Sequence, residues 1–302
     1  MGATDDLAAY LARNRARVNE ALDGLLPRED GDFPELARAM RYSVFAGGKR
    51  IRPILCMAAA EAAGGPEDGE QVLPVACALE CIHTYSLIHD DLPAMDDDDY
   101  RRGRLTSHKV FGEALAILAG DALLTIAFQW MADPALLPGL PQERLLAAIR
   151  EIASGAGYRG MVGGQVADME AEGRAVDMET LQVIHAHKTG ALLTASVRAG
   201  ALLAAADPET LAALTTYGTH IGLAFQVADD ILNVEGDRAT LGKRTGSDAV
   251  RGKATFPGLA GLPASRDKLR ALVVQARDAL ASLDDRAEPL RALASYLGER
   301  TS

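Results

Sequence analysis

The sequence predicts an all-α protein, a single large helical bundle spanning residues 1–302. Three observations carry this reading. Nearly every long stretch repeats its apolar residues with the helical period. No segment alternates apolar and polar residues convincingly enough for a half-buried strand. Ala and Leu, both strong helix formers, dominate, whereas aromatic residues make up only 5%. Leu7, Leu11, Val18 and Leu22 share one face of a first helix, after a Thr4 able to cap it. Similar patterns cover about 34–46, 51–63, 70–91, 108–131, 142–157, 178–204, 208–234 and 265–283, and a weaker one runs near 287–298. The breaks fall on turn chemistry: GGP at 64–66, LPGLP at 137–141, AEGR at 171–174, ADP at 206–208 and LGKRTG at 241–246. The segments 70–91 and 208–234 are apolar on more than one face, which places them in the middle of the bundle. Both end in acids.

Composition narrows the function. A chain of 302 residues that is 48% hydrophobic has ample material for a core and is no disordered protein. Its net charge of −11, with no basic tract, argues against a nucleic-acid partner. The N-terminus MGATDDLAAYLARN carries acids where an export signal needs bases. No unbroken apolar run approaches about 18 residues, so no membrane insertion and a cytoplasmic location are expected. Cys56, Cys77 and Cys81 lie within apolar helical patterns and read as packing thiols in a reducing compartment. A zinc site from Cys77, Cys81, His83 and His89 is disfavoured by its spacing.

Two acidic constellations stand out. In LECIHTYSLIHDDLPAMDDDDYRRGR, residues 79–104, six of the ten residues 90–99 are Asp. An apolar helix delivers Asp90 and Asp91 to its C-terminal end, and Pro93 then stops or bends it. Carboxylates there are opposed by the helix dipole, by about 0.3–1 kcal/mol each, and by one another. A cation removes both objections, and oxygen-only ligands favour Mg²⁺ over zinc. The turn can fold Asp96 back towards the pair, whereas Asp97–Asp99 read equally well as a solvated acidic loop. In GLAFQVADDILNVEGD, residues 222–237, Asp229 and Asp230 interrupt an apolar helix. Gln226 and Asp230 share one face, Asp229 and Asn233 the next. Buried acids are costly unless neutralised. A structural salt bridge would do that, and so would divalent cations shared between the two facing motifs, which could then hold a diphosphate.

Basic clusters answer these acids. GGKRIRP, residues 47–53, sets Lys49, Arg50 and Arg52 between two glycines and a proline at a helix start, where close backbone approach and the helix N-terminus favour anions. Arg101 and Arg102 follow the first acidic cluster. HKTGA places Lys188 and Thr189 in an apolar helix, and Lys243 and Lys253 lie further on. Basic groups separate from metal-binding groups suggest two diphosphates held differently, one as a leaving group and one gripped by Arg and Lys.

These segments resemble the trans-prenyltransferase (polyprenyl diphosphate synthase) family, most closely its bacterial farnesyl diphosphate synthases. GGKRIRP, DDLPAMD followed by Arg101 and Arg102, HKTG, GLAFQVADD and LGK match the family's motifs in order, over about residues 41–257. The resemblance implies the isoprenoid synthase fold with a central active-site cavity. It also implies a homodimer, isopentenyl and allylic diphosphates as substrates, and three Mg²⁺ ions, with Mn²⁺ as an alternative. Asp90 and Asp96, supported by Asp91, would bind two ions and Asp229 a third. Arg101, Lys188 and Lys243 would contact the allylic diphosphate. Lys49, Arg52, His83 and Arg102 would hold isopentenyl diphosphate. Thr189 and Gln226 would line the reacting carbons, where their dipoles stabilise a developing allyl cation. In this family the residues four and five before the first Asp, here Ser86 and Tyr85, form part of the floor under the growing chain. Tyr85 lies about 7.5 Å down the helix from Asp90, and a bulky floor favours a fifteen-carbon, farnesyl product. Geranyl and geranylgeranyl synthases are the nearest alternatives. The chain departs from the family where Asn233 stands in place of a third Asp, which leaves the second motif one negative charge short. A terpene cyclase needs no second diphosphate site, so GGKRIRP argues against it; a non-catalytic partner subunit would be expected to lose an Asp motif.

Overall fold

The structure, a computed structural model, describes residues 3–66, 69–235 and 253–299. It is built of helices: α1 (Ala3–Leu25), α2 (Pro34–Val44), α3 (Ile51–Ala62), α4 (Leu73–Asp90), α5 (Ser107–Phe111), α6 (Glu113–Ala132), α7 (Gln142–Ala156) and α8 (Met161–Ala171). There follow α9 (Met178–His185), a π-helical turn (Ala186–Gly190), α10 (Ala191–Leu203), α11 (Pro208–Glu235), α12 (Phe256–Ala260), α13 (Leu262–Ala279) and α14 (Glu288–Glu299). Among the described residues the only strands are Tyr100–Arg101 (β1) and Arg104–Leu105 (β2), one small antiparallel pair.

Caps and turns explain most boundaries. Asp177 accepts the backbone N–H of Thr180 at 2.8 Å and starts α9. Asp207 accepts that of Thr210 at 2.7 Å, with Pro208 as first residue of α11; such caps contribute about 1 kcal/mol each. Thr4 does not serve as the expected cap, because the first helix is already under way at Ala3. The expected helix 108–131 is split at Gly112 (φ 82°), whose conformation no helix interior accepts. Helix α8 falls in a stretch for which no helix was expected, since the glycine pair in MVGGQVADMEA weakens both propensity and pattern. The expected absence of strands needs correcting for the β1–β2 hairpin, whose two-residue strands are too short to alternate. Its tip is Arg102–Gly103, with φ of 53° and 76°, the left-handed pair that a tight hairpin turn requires.

Helices α3 and α10 cross at the centre and feed two hydrophobic clusters. Cys56, Met57, Ala60, Leu192 and Ala199 face one cluster, with α4 and α6. Leu55, Ala59, Leu193, Val197 and Ala201 face the other, with α11, α13 and α14. The three cysteines are free and buried. Two helical segments, Glu70–Asp90 and Glu113–Ala132, are long and apolar enough by length and composition to cross a membrane. This corrects the reading from unbroken runs, which isolated polar residues interrupt. The first segment is a core element: Glu80, at its middle, pairs with Arg50 at 2.7 Å, both side chains being 2% exposed.

Candidate active site

Helix α4 ends on Asp90, and Asp91 is its C-cap. Beyond Pro93 the chain returns: the Asp96 N–H donates to the Asp90 carbonyl at 2.7 Å, and the N–H groups of Met95 and Asp97 close on Leu92 O. Asp96 is thereby folded against Asp90. Burial raises the Asp90 pKa, and the nearby Asp96 and Asp91 carboxylates raise it further, while Lys188 and Arg101 oppose them. Asp91 turns inward, and both its oxygens accept Arg101 Nε at 2.8 Å. The two residues therefore form a buried fork that fixes the hairpin to the helix end. Asp98 and Asp99 are occupied in that hairpin, their carbonyls accepting from Thr106 Oγ1, and Asp99 pairs with Lys109 at 2.7 Å.

The second pair divides in the same way. Asp229 is exposed, whereas Asp230 is buried. Gln226 donates through Nε2 to Asp230 Oδ1 at 3.0 Å, and Phe256 N–H donates to Oδ2 at 2.9 Å. Thr189 Oγ1 donates to Gln226 Oε1 at 2.9 Å, so these two predicted residues meet. Thr189 and Lys188 sit in the π-helical turn, a widened turn that re-aims side chains within an otherwise regular helix. Lys188 is held there by close packing: a Cβ on Gly164 of α8 would collide with the backbone of Lys188 and His187.

One acid of this site went unpredicted. Asp168 on α8 pairs with Lys188 at 2.6 Å and with Lys253 at 3.4 Å, and Lys253 reaches Asp96 at 3.2 Å. Its carboxyl is held below the ordinary range, because the two lysines outweigh the opposing burial. Asp168 thus connects the first acidic motif to the π-helical turn. A GGQ–D spacing in an apolar stretch was its only signal. Lys243 lies outside the described residues.

The basic side is built on backbone. Gly47 and Gly48 have φ of 107° and 121°, and a Cβ on Gly48 would lie 2.6 Å from the Arg102 guanidinium. Only glycine fits there. Arg102 donates to Gly47 O. Arg50 is spent on structure, donating to Glu80, Asn19 Oδ1 and Val44 O. Arg52 and His83 differ: Arg52 Nε and His83 Nδ1 are buried with no hydrogen-bond partner. Burial pushes the Arg52 guanidinium down to about 10, and Arg102 adds to the effect. Burial first, then Arg52 and Arg102, hold His83 well below the usual histidine range and therefore neutral. Arg52 and His83, each with a buried nitrogen that lacks a partner, stand beside Arg102, and this gathering of donors describes an anion site. Lys49 is exposed and lines an apolar pocket with Ile51, Phe225 and Tyr296. On α4, Tyr85 is 7% exposed and packs edge-on against His89, with ring centroids 5.6 Å apart. Ser86 turns its hydroxyl back to the His83 carbonyl at 2.8 Å.

Comparison with known proteins agrees with this geometry. A family model described as polyprenyl synthetase matches residues 33–288. The chain belongs to the polyprenyl synthetase family. Among its relatives are a farnesyl diphosphate synthase of Geobacillus stearothermophilus and a geranylgeranyl diphosphate synthase of Cyanophora paradoxa. The first is 50% identical over 86% of this chain and 86% of its own length. The second is 45% identical over 98% of this chain and 97% of its own. The crystal structure of an FPP/GFPP synthase from Zymomonas mobilis superposes with a TM-score of 0.86 at 36% identity, covering 98% and 99% of the two chains. Within this polyprenyl synthetase family the chain is a prenyltransferase, a short-chain trans-prenyl diphosphate synthase acting on isopentenyl and allylic diphosphates.

The donors suit Mg²⁺. Among the described residues no three acidic, His or Cys side chains converge as a ready-made cage. Mg²⁺ rarely uses one: it takes one or two carboxylates and fills its octahedron with water and substrate phosphate. Asp90 and Asp96, two hard oxygen donors close enough to raise the pKa of Asp90, meet that description.

Proposed function

We propose that the chain makes farnesyl diphosphate from isopentenyl diphosphate and dimethylallyl or geranyl diphosphate. The observation that carries the product assignment is Tyr85, a bulky, buried side chain one turn and a half below Asp90 on α4. Helix side chains tilt towards the N-terminus, so the ring closes the tunnel lower still.

Asp90 and Asp96, with Asp91 in support, and Asp229 would hold three Mg²⁺ ions, Mn²⁺ being an alternative. When bound, these ions neutralise the leaving diphosphate. Arg101, Lys188 and Lys243 orient the allylic diphosphate, and Asp168 aims Lys188. Arg52, Arg102, His83 and Lys49 grip isopentenyl diphosphate, supplying the donors that its oxygens require. The allylic C–O bond breaks with its electron pair leaving on diphosphate. Thr189 and Gln226 present dipoles to the resulting cation. The π pair of isopentenyl diphosphate forms the new C–C bond, and a proton passes to the departing diphosphate, restoring a double bond.

A homodimer accounts for the face of α6. This is the more apolar of the two long segments, mean hydropathy 1.6, yet only 39% of it is buried. Ile117 and Leu118 stand exposed there, and Val162 and Val166 on α8; patches of this kind mark interaction sites. The buried free thiols support a cytoplasmic location.

Incubation of the purified protein with isopentenyl and geranyl diphosphates and Mg²⁺, followed by extraction, tests the reading. A fifteen-carbon product is expected. A twenty-carbon product overturns the farnesyl assignment and leaves the reaction class standing, whereas absence of any product favours a non-catalytic subunit.

A further inference from the structure

Asp230 is the buried acid of the second motif, and both its oxygens accept from protein donors. Oδ2 takes the Phe256 N–H at 2.9 Å, with His185 Nε2 3.7 Å away and the His185 ring stacked on Phe256. Oδ1 takes Gln226 Nε2 at 3.0 Å, one helical turn back on α11. The side chain is 4% exposed, so water does not compete for these positions.

An amide side chain is nearly symmetric in shape and opposite in polarity at its two ends, and only its partners decide which end points where. A carboxylate can accept but never donate. Facing Asp230, Gln226 must therefore present its NH₂ group, and its oxygen must lie on the other side, against Thr189. Thr189 then has one course: its hydroxyl proton goes to Gln226 Oε1, the observed 2.9 Å bond, and its lone pairs are left for whatever occupies the cleft. Were Gln226 reversed, its NH₂ would donate to Thr189 Oγ1, and the hydroxyl proton would turn outward. The half-buried end of the chain would then present positive rather than negative charge.

We propose that Asp230 is a positioning residue that sets the polarity of the Gln226–Thr189 pair, so that the pair offers hydrogen-bond acceptors to a cationic prenyl carbon. This rests on the prenyl-transfer reading of the site. It gives Asp230 a task distinct from that of its neighbour: Asp229 is exposed, whereas Asp230 acts through two side chains and touches neither substrate nor reacting atoms.

The test compares two ligands in the presence of Mg²⁺ by calorimetric titration. One is geranyl thiodiphosphate, whose chain is neutral. The other is a geranyl diphosphate analogue with protonated nitrogen in place of C3, which carries the charge of the allyl cation. In Asp230→Asn the amide oxygen stays with the Phe256 N–H and the NH₂ group faces Gln226, which turns Gln226 round. Preference for the cationic over the neutral analogue should fall at least about tenfold, in keeping with the loss of an oriented dipole. Affinity for the neutral analogue should stay within about twofold, and kcat should fall with little change in either KM. Asp230→Ser, smaller and equally able to donate or accept, must behave alike. Thr189→Val should lose the same preference and Thr189→Ser keep it. In the Thr189→Val background Asp230→Asn should add nothing further. Retention of the wild-type preference in whichever Asp230 variant binds the neutral analogue overturns the proposal, as does an effect of equal size in the Thr189→Val background. Failure of the wild-type protein to bind even the neutral analogue would instead count against the prenyl-transfer reading.

Discussion

Replacing Arg52 by Met should raise the stability of the folded protein while weakening its hold on isopentenyl diphosphate. Burial pushes the Arg52 guanidinium down to about 10 from 12.5. A base whose proton affinity falls on folding carries its charge at a cost, so removing that charge stabilises the native state. At about 1.36 kcal/mol per pH unit the cost is on the order of 3 kcal/mol. Partial solvent access and the lost packing of the guanidinium leave a net gain of about 1–2 kcal/mol. For a chain of 302 residues that corresponds to a Tm about 2–3 °C higher. Arg50, two residues earlier, supplies the opposite sign. Its partner Glu80 is 2% exposed, so Arg50→Met strands a buried carboxylate and should cost about 3–5 kcal/mol. Calorimetric melts with and without saturating isopentenyl diphosphate decide the matter. A ligand at a hundred times its Kd should stabilise the wild type by about 2.7 kcal/mol, and Arg52→Met should lose most of that increment. The reasoning fails if Arg52→Met melts at or below the wild type, or keeps the full ligand-induced shift.

Two buried histidines give the fold a pH dependence. Burial holds His83 well below the histidine range and His185 at about 4. The unfolded chain takes up protons on both near pH 6.5 and the folded chain does not, so stability is full above that value and falls as the pH drops towards 4. The slope reaches about 1.4 kcal/mol per unit for each histidine; urea midpoints at pH 7 and pH 5 should differ, and His185→Asn should reduce the difference. Tyr85→Ala should lengthen the product by opening the floor of α4, and an unchanged farnesyl product in the extract would rule that role out. Asn233→Asp should shift the Mg²⁺ concentration needed for half-maximal rate more than it shifts product length; an unaltered requirement would dismiss Asn233 as a determinant of metal demand.

The sequence made the helices legible because Ala- and Leu-rich segments of 11 to 28 residues repeat their apolar period many times over. The acidic motifs were legible for a related reason: acids at the end of an apolar helix contradict their surroundings. Legibility failed where a short element depends on conformation rather than pattern. The β1–β2 hairpin rests on two left-handed residues, and the break before α6 rests on one glycine. Asp168 was missed because its role depends on Lys188 and Lys253, which are 20 and 85 residues away. Within GGKRIRP the resemblance picks out Lys49 and Arg52 but gives no reason for passing over Arg50; the structure supplies one, since Arg50 is bonded to Glu80, Asn19 and Val44, while Arg52 retains an unpaired donor. That division depends on Glu80, one residue among many in α4.

The contact of Gly164 with the backbone of Lys188 bears on how this enzyme can be surveyed and altered. An alanine scan subtracts atoms at most positions, but here it would add one, wedging α8 away from the π-helical turn. Asp168 would move with α8, and the ammonium of Lys188 would lose its anchor. Activity would collapse at a residue with no chemistry of its own. Such a position narrows the routes open to laboratory evolution, because the inward face of α8 is locked by a missing methyl group.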